Sequence, residues 1–173
     1  RFLLRYKAPL GGLGFQGHFR MPLTPPRMVL RLLDRYARLK LPIKITEFDV
    51  DVADELLQAD YTRDFLYAAF SHPSVSGIQL WGFWEKQHWR PNAALYRANW
   101  EEKPNGVVFR ELTQKKWWTL AKGVSSKAGS FSGRGFYGTY RVMISIDGNQ
   151  SKSMFKLEED GQKLEAQLLG VDL

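Results

Sequence analysis

The sequence contains no cysteine, and only three histidines among its 173 residues. Disulfides and thiolate metal sites are thereby excluded, and the redox compartment is left open. No apolar run approaches the ~18 residues that a membrane span requires. The first residues, Arg1-Phe2-Leu3-Leu4-Arg5-Tyr6-Lys7, lack the apolar core and small-residue cleavage site of a secretory signal. They read instead as the last turns of an amphipathic helix that began earlier. Acidic residues are the scarcer charge, 18 Asp plus Glu against 25 Lys plus Arg, which gives a net charge of +7. The basic surplus is scattered and no nucleic-acid-binding motif accompanies it, so neither nucleic acid nor membrane is an expected partner.

What the sequence has in quantity is aromatic residues: 6 Trp, 7 Tyr and 11 Phe. The tryptophans gather at Trp81, Trp84, Trp89 and Trp100, and then at Trp117 and Trp118. Aromatic faces stack on the apolar faces of sugar rings, so the cluster favours a carbohydrate ligand. For any single tryptophan, core packing is the competing explanation.

The stretch that organises the chain is Ile43-Lys44-Ile45-Thr46-Glu47-Phe48-Asp49-Val50. It is a β-branched strand that ends in two carboxylates two residues apart. Side chains alternate along a strand, so Ile45, Glu47 and Asp49 share one face while Lys44, Thr46 and Phe48 share the other. Acids placed inward are costly unless they are hydrogen-bonded or used. Upstream, Leu13 to Phe19 reads as a strand with Gln16 and His18 on one face, flanked by glycines that permit close approach. A satisfied core histidine and a functional one are both compatible with that pattern.

Between these strands Thr24 reads as an N-cap and Pro25 as the first helical residue. Met28, Leu32, Leu33, Tyr36 and Leu39 form the apolar stripe of the helix that follows. Asp54 or a neighbour starts a second helix with Leu57, Tyr61, Phe65, Ala68 and Ala69 inward. His72, in the turn beyond it, reads as structural. A third strand runs from Val75 to Trp84, followed by a long loop from Glu85 to Pro104 whose length alone suggests a binding surface. A last helix covers 106–118, with Val107, Phe109 (or Val108), Leu112, Lys116 and Trp117 inward. From about residue 121 the period changes from helical to two. Strands are expected at Tyr140–Ile146, Met154–Leu157 and Leu164–Leu168, with turns at Asp147-Gly148 and Asp160-Gly161.

Three motifs in order, Gly14-Phe15-Gln16-Gly17-His18-Phe19, Ile45-Thr46-Glu47-Phe48-Asp49 and Trp81-Gly82 followed by Trp89, resemble glycoside hydrolase family ten. That family comprises the retaining endo-β-1,4-xylanases, which are (β/α)8 barrels. The resemblance implies an α/β fold. Residues 1–120 would be the C-terminal portion of a TIM barrel, strands 6–8 with their helices, and residues 121–173 a small antiparallel β-sandwich-like unit that covers the barrel or binds carbohydrate. It implies Glu47 as the nucleophile, His18 as the imidazole bonded to it, and Asp49 as the acid holding that imidazole. It also implies Gln16, Trp81 and Trp89 as residues lining the sugar sites, with no cofactor or metal. Glu85 stands where Asp is commoner in the family, and His88 where Ser is commoner.

The family's general acid belongs to a motif on the fourth strand, and no such motif occurs here. A complete barrel takes about 250 residues. The expectation is therefore an endo-xylanase acting on xylan or xylo-oligosaccharides, secreted as the family implies. Its general acid would lie on a missing upstream segment or a second chain, and this chain alone would be inactive. Two alternatives stand beside it: a non-catalytic carbohydrate-binding or assembly module, and a barrel metallohydrolase using His18, Glu47 and Asp49 as ligands.

Overall fold

The computed structural model describes residues 2–163. The chain divides into two compact units, Arg1–Lys115 and Lys116–Leu173. In the first unit a short helix, α1 (Phe2–Arg5), precedes a parallel sheet built around β3 (Ile43–Asp51). One edge of β3 pairs first with β1 (Leu13–Phe15) and then with β2 (His18–Arg20). The other edge pairs with β4 (Val75–Leu80). Each crossover is a helix: α2 (Pro26–Ala37) between β2 and β3, and α3 (Glu55–Ser71) between β3 and β4. Parallel neighbours need such crossovers, because a tight turn cannot return the chain to the same end of the sheet.

The expected single strand from Leu13 to Phe19 is interrupted. Register runs Phe15↔Ile45 and then His18↔Asp49, so Gln16 and Gly17 lie opposite three residues of β3. Across the other edge the register shifts over the same interval, from Ile45↔Ile78 to Phe48↔Leu80. Strand β3 therefore carries an extra residue around Glu47 relative to both neighbours, and such bulges re-aim side chains near sites. The backbone closes over the irregularity through Glu47 N–H to Gln16 O (2.9 Å) and Asp49 N–H to Gly17 O (3.2 Å). Gly17 makes this possible with φ +85°, where a Cβ would lie 3.0 Å from Ile45 Cγ2.

Phe48 leaves the carboxylate face and stacks flat on Phe65 of α3, with centroids 4.4 Å apart and planes within 4°. Phe19 packs on the same ring at 4.9 Å. Asp54 caps α3 as expected, its Oδ1 accepting from Leu56 N–H and Leu57 N–H. The helix buries Tyr61, Phe65, Ala68 and Ala69, but Leu57 is turned outward. Gln58 is wholly buried in its place, donating to Val50 O and Asn92 O. In α2 the first helical residue is Pro26, not Pro25, and no side chain caps it. Thr24 instead offers its carbonyl to the Tyr61 hydroxyl at 2.8 Å. The buried residues are Val29 and Leu33, while Met28, Leu32 and Tyr36 lie exposed. Of the expected stripe Leu33 is buried, and Tyr36, though partly exposed, packs edge-on against Phe15 of β1 at 5.0 Å.

His72 is structural, as read. It is buried, and its Nδ1 accepts from Ser74 N–H at 3.1 Å. The last helix begins earlier than expected, as α4 (Pro104–Arg110), and continues as a π-helical segment Glu111–Lys116. It buries Asn105, Gly106 and Leu112, whereas Val107 faces outward.

The described part of the second unit holds one antiparallel hairpin, β5 (Gly138–Ile146) with β6 (Asn149–Leu157). Asp147 (φ +47°) and Gly148 (φ +84°) make its two-residue turn, the left-handed pair that matches strand twist. Tyr140, Val142 and Ile144 line one face with Phe155 across from Tyr140. Strand β6 begins five residues before the expected Met154, and the expected strand Leu164–Leu168 lies outside the described residues. No second sheet of a sandwich occurs among the described residues.

Replacing Gly17 with Ala should cost about 1–3 kcal/mol, since the left-handed backbone and the Ile45 contact both oppose a Cβ. Urea unfolding of the purified protein measures it, and wild-type stability would contradict the strained turn.

Candidate active site

The bulge at Glu47 and the turn at Gly17 set His18, the first residue of β2, beside Glu47 and Asp49 of β3. His18 sits between two acids. Its Nε2 lies 3.0 Å from Glu47 Oε2 in a hydrogen bond. Its Nδ1 lies 3.0 Å from Asp49 Oδ2, close but not in hydrogen-bond alignment. Glu47 keeps 22% of its side chain exposed, against 2% for Asp49. One carboxylate faces the solvent side of the site and the other is its buried anchor.

Asp49 collects further partners from the loop after β4. Trp89 Nε1–H donates to Asp49 Oδ2 at 2.8 Å. His88 Nε2 lies 3.9 Å from the same oxygen, with its side chain wholly buried. His88 Nδ1 accepts from Arg90 N–H at 3.1 Å, so the neutral ring carries its proton on Nε2, toward Asp49. Burial pushes the His88 pKa down, and the neighbouring Asp49 charge offsets part of that. Arg90 lies over the Trp89 ring at 4.4 Å and pairs with Asp51 at 3.0 Å, fixing the plane of the indole.

The rings of Trp81 and Trp89 flank His18 edge-on, at 6.0 and 5.1 Å between centroids. Each is about half exposed. The expected residues His18, Glu47, Asp49, Trp81 and Trp89 thus form one cluster. Gln16 stands at the interruption between β1 and β2, exposed, and its side chain makes no hydrogen bond to the described residues. The described residues contain no group of His, Asp or Glu arranged to hold an ion.

Sequence reasoning gave no role to His88, Arg90 or Lys103. Lys103 is buried, donates from Nζ to Asn92 O at 2.6 Å, and burial pushes its pKa down. Glu55, which grips Arg97 through two hydrogen bonds of 2.7 and 2.8 Å, is held below the usual carboxylate range by that guanidinium. Arg97 thereby pins the loop to α3 from 42 positions away, while His88 and Arg90 face Asp49 and Asp51 of β3. Apart from His88, which departs from the commoner Ser of the family, the length of the loop was the signal for them.

Residues 2–112 match the family model described as Glycosyl hydrolase family 10. The chain belongs to this family. Among curated relatives, the Arabidopsis thaliana protein named endo-1,4-beta-xylanase 1 is 36% identical over 167 residues, covering 96% of this chain and 17% of its own. The Acetivibrio thermocellus protein named anti-sigma-I factor RsgI6 is 43% identical over 139 residues, covering 79% of this chain and 18% of its own. The chain thus spans less than a fifth of the length of these two relatives. A crystal structure of xylanase 10B from Thermotoga petrophila in complex with xylobiose matches at TM-score 0.59 and 30% identity, covering 66% of this chain and 39% of that one. The parallel β/α arrangement of the first unit is accordingly part of a TIM barrel of family 10.

The buried histidine makes stability depend on pH. Its folded pKa lies below the ordinary value of 6.5, so the unfolded chain takes up the proton first as pH falls. Stability is complete above that value and declines below it, by at most ~1.4 kcal/mol per pH unit from this group. His88→Asn, which keeps an acceptor for Arg90 N–H, should flatten this slope in denaturant unfolding between pH 7.5 and 5.5. An unchanged slope would mean that His88 titrates alike in both states.

Proposed function

We propose that this chain carries the nucleophile of a retaining endo-β-1,4-xylanase, its first unit supplying the sixth, seventh and eighth strands of the barrel. The observation that carries the reading is the 3.0 Å contact of His18 Nε2 with Glu47 Oε2, at a bulged strand end, in a chain of this family. Glu47, ionised, attacks the anomeric carbon of a xylosyl unit. The bond from that carbon to the leaving oxygen breaks as the oxygen takes a proton from the general acid, and a glycosyl ester on Glu47 forms. Water then attacks the same carbon, giving its proton to the residue that served as acid, and Glu47 leaves as carboxylate. Two inversions give net retention.

His18 fixes one oxygen of Glu47 so that the other faces the sugar, and Asp49 holds the ring of His18. Trp81 and Trp89 offer half-exposed aromatic faces to the pyranose, and Gln16 offers an uncommitted amide to a hydroxyl. A retaining enzyme needs a second carboxyl about 5–5.5 Å from the nucleophile. Asp49 is unsuited to that role, being buried and engaged by His18 and Trp89. The proposal therefore places the general acid on a barrel segment outside this chain, in the same protein or a second one. Secretion belongs to the same proposal, as an implication of the family.

A second reading, carbohydrate binding without hydrolysis, is favoured by one observation: the relative 43% identical to this chain is named an anti-sigma factor. The two readings part at Glu47.

In the protein with its complete barrel, Glu47→Gln should lower xylan turnover by roughly three orders of magnitude or more. A 2-fluoro-xylobioside trap should add one glycosyl mass to Glu47 in the unmodified protein and none to the variant. Turnover surviving the substitution would sink the nucleophile assignment. Xylan binding with neither turnover nor adduct would establish the second reading.

A further inference from the structure

The loop after β4 carries a second aromatic group that the Glu47 site does not use. Trp84 and Trp100 stack nearly parallel, with centroids 4.7 Å apart and planes within 9°. Phe83 and Tyr96 lie against Trp100 at 6.4 and 6.3 Å, and the Lys86 ammonium sits 5.6 Å over Trp84. No ring contact joins this group to Trp81 or Trp89. Trp100 is 57% exposed and Phe83 53%, so much of the ring surface that Trp84 leaves uncovered meets solvent.

The backbone holding Trp100 is the more informative feature. Its φ is +69°, a conformation suited to glycine and costly for a bulky residue. The turn is nevertheless tied down at every step. Arg97 N–H donates to Glu101 O at 2.8 Å, Ala98 N–H to Glu85 at 2.6 Å, Trp100 N–H to Arg97 O at 2.9 Å, and Glu101 N–H to Asn99 Oδ1 at 3.1 Å. Arg97 in turn anchors the turn to Glu55 of α3. A strained residue with a large apolar face, displayed outward on a rigid turn, is pre-organised for a contact: little conformational entropy remains to be lost on binding.

We infer that Trp100, backed by Trp84 and edged by Phe83, is a stacking platform for a pyranose ring of a β-1,4-linked xylan chain running beyond the Glu47 site. The ligand class rests on the xylan reading above. The placement rests on the loop itself, since residues 81–103 carry both Trp81, whose N–H bonds Phe48 O beside Glu47, and Trp100. A polymer leaving the first group of rings has the second within the same loop. The platform adds affinity for long chains and none for short ones.

The test uses the Glu47→Gln protein with its complete barrel, so that sugars bind without turnover, and calorimetric titration with xylobiose and xylohexaose. Trp100→Gly suits the left-handed backbone, which offsets part of the ring packing on Trp84 that it removes, so the melting temperature should fall by only a few degrees. It is expected to weaken xylohexaose binding about three- to tenfold and leave xylobiose within about twofold. Trp100→Phe, which keeps an aromatic face, should retain most of the xylohexaose affinity. Equal loss for both sugars, equal loss in Trp100→Phe and Trp100→Gly, or unchanged xylohexaose binding in Trp100→Gly would each overturn the platform. Length-dependent binding through Trp100 in a protein that never hydrolyses xylan would leave the platform standing while the nucleophile assignment fell.

Discussion

A buried carboxylate governs this molecule. Asp49 has 2% of its side chain exposed, and a charge so placed is tolerable only when other groups converge on it. The converging groups come from different places: His18 from the strand beside it, and Trp89 and His88 from the loop some forty residues later. Satisfying Asp49 therefore fixes how that loop returns over the end of the sheet. It also sets the ring of His18, and through it the orientation of Glu47. The chemistry of the exposed acid depends on the solvation of the hidden one.

The frame that makes this convergence possible is aromatic on the other side of the sheet. Phe48 lies between Glu47 and Asp49 in sequence but packs on Phe65 of α3, with Phe19 against the same ring. The tight stack locks β3 against its crossover helix, while the extra residue near Glu47 lets the strand depart from strict alternation. A rigid, close-packed face thus supports a polar face whose groups must be held to within tenths of an ångström. Arg97 ties the long loop to Glu55 of α3, Gln58 of α3 donates to Asn92 O within it, and Lys103 closes it on itself through the same carbonyl.

Membership of family 10 explains the parallel β/α order of the first unit. The small fraction of each relative that this chain spans gives the pairing of residues within it particular weight. Glu47, His18 and Asp49 need nothing beyond two adjacent strands to find one another, so their geometry is complete within the first unit.

The sequence by itself determined the elements whose signals are local. The β-branched run of β3, the Asp54 cap, the Asp147-Gly148 turn and the spacing of Glu47 and Asp49 are set by neighbours a few residues apart. Propensity and periodicity report such neighbours directly. That His18 belongs with Glu47 and Asp49 came from the resemblance of their motifs to family 10, since the strand–helix–strand order alone left a core histidine equally open. The tertiary structure alone decided the interruption at Gln16-Gly17, because a register shift depends on the lengths of three strands at once. It decided that Val29 joins Leu33 as the buried side of α2, because packing depends on what lies opposite the helix. It also decided the buried roles of His88, Gln58 and Lys103. A polar residue is held inside by partners far along the chain, and no local pattern records where those partners will be.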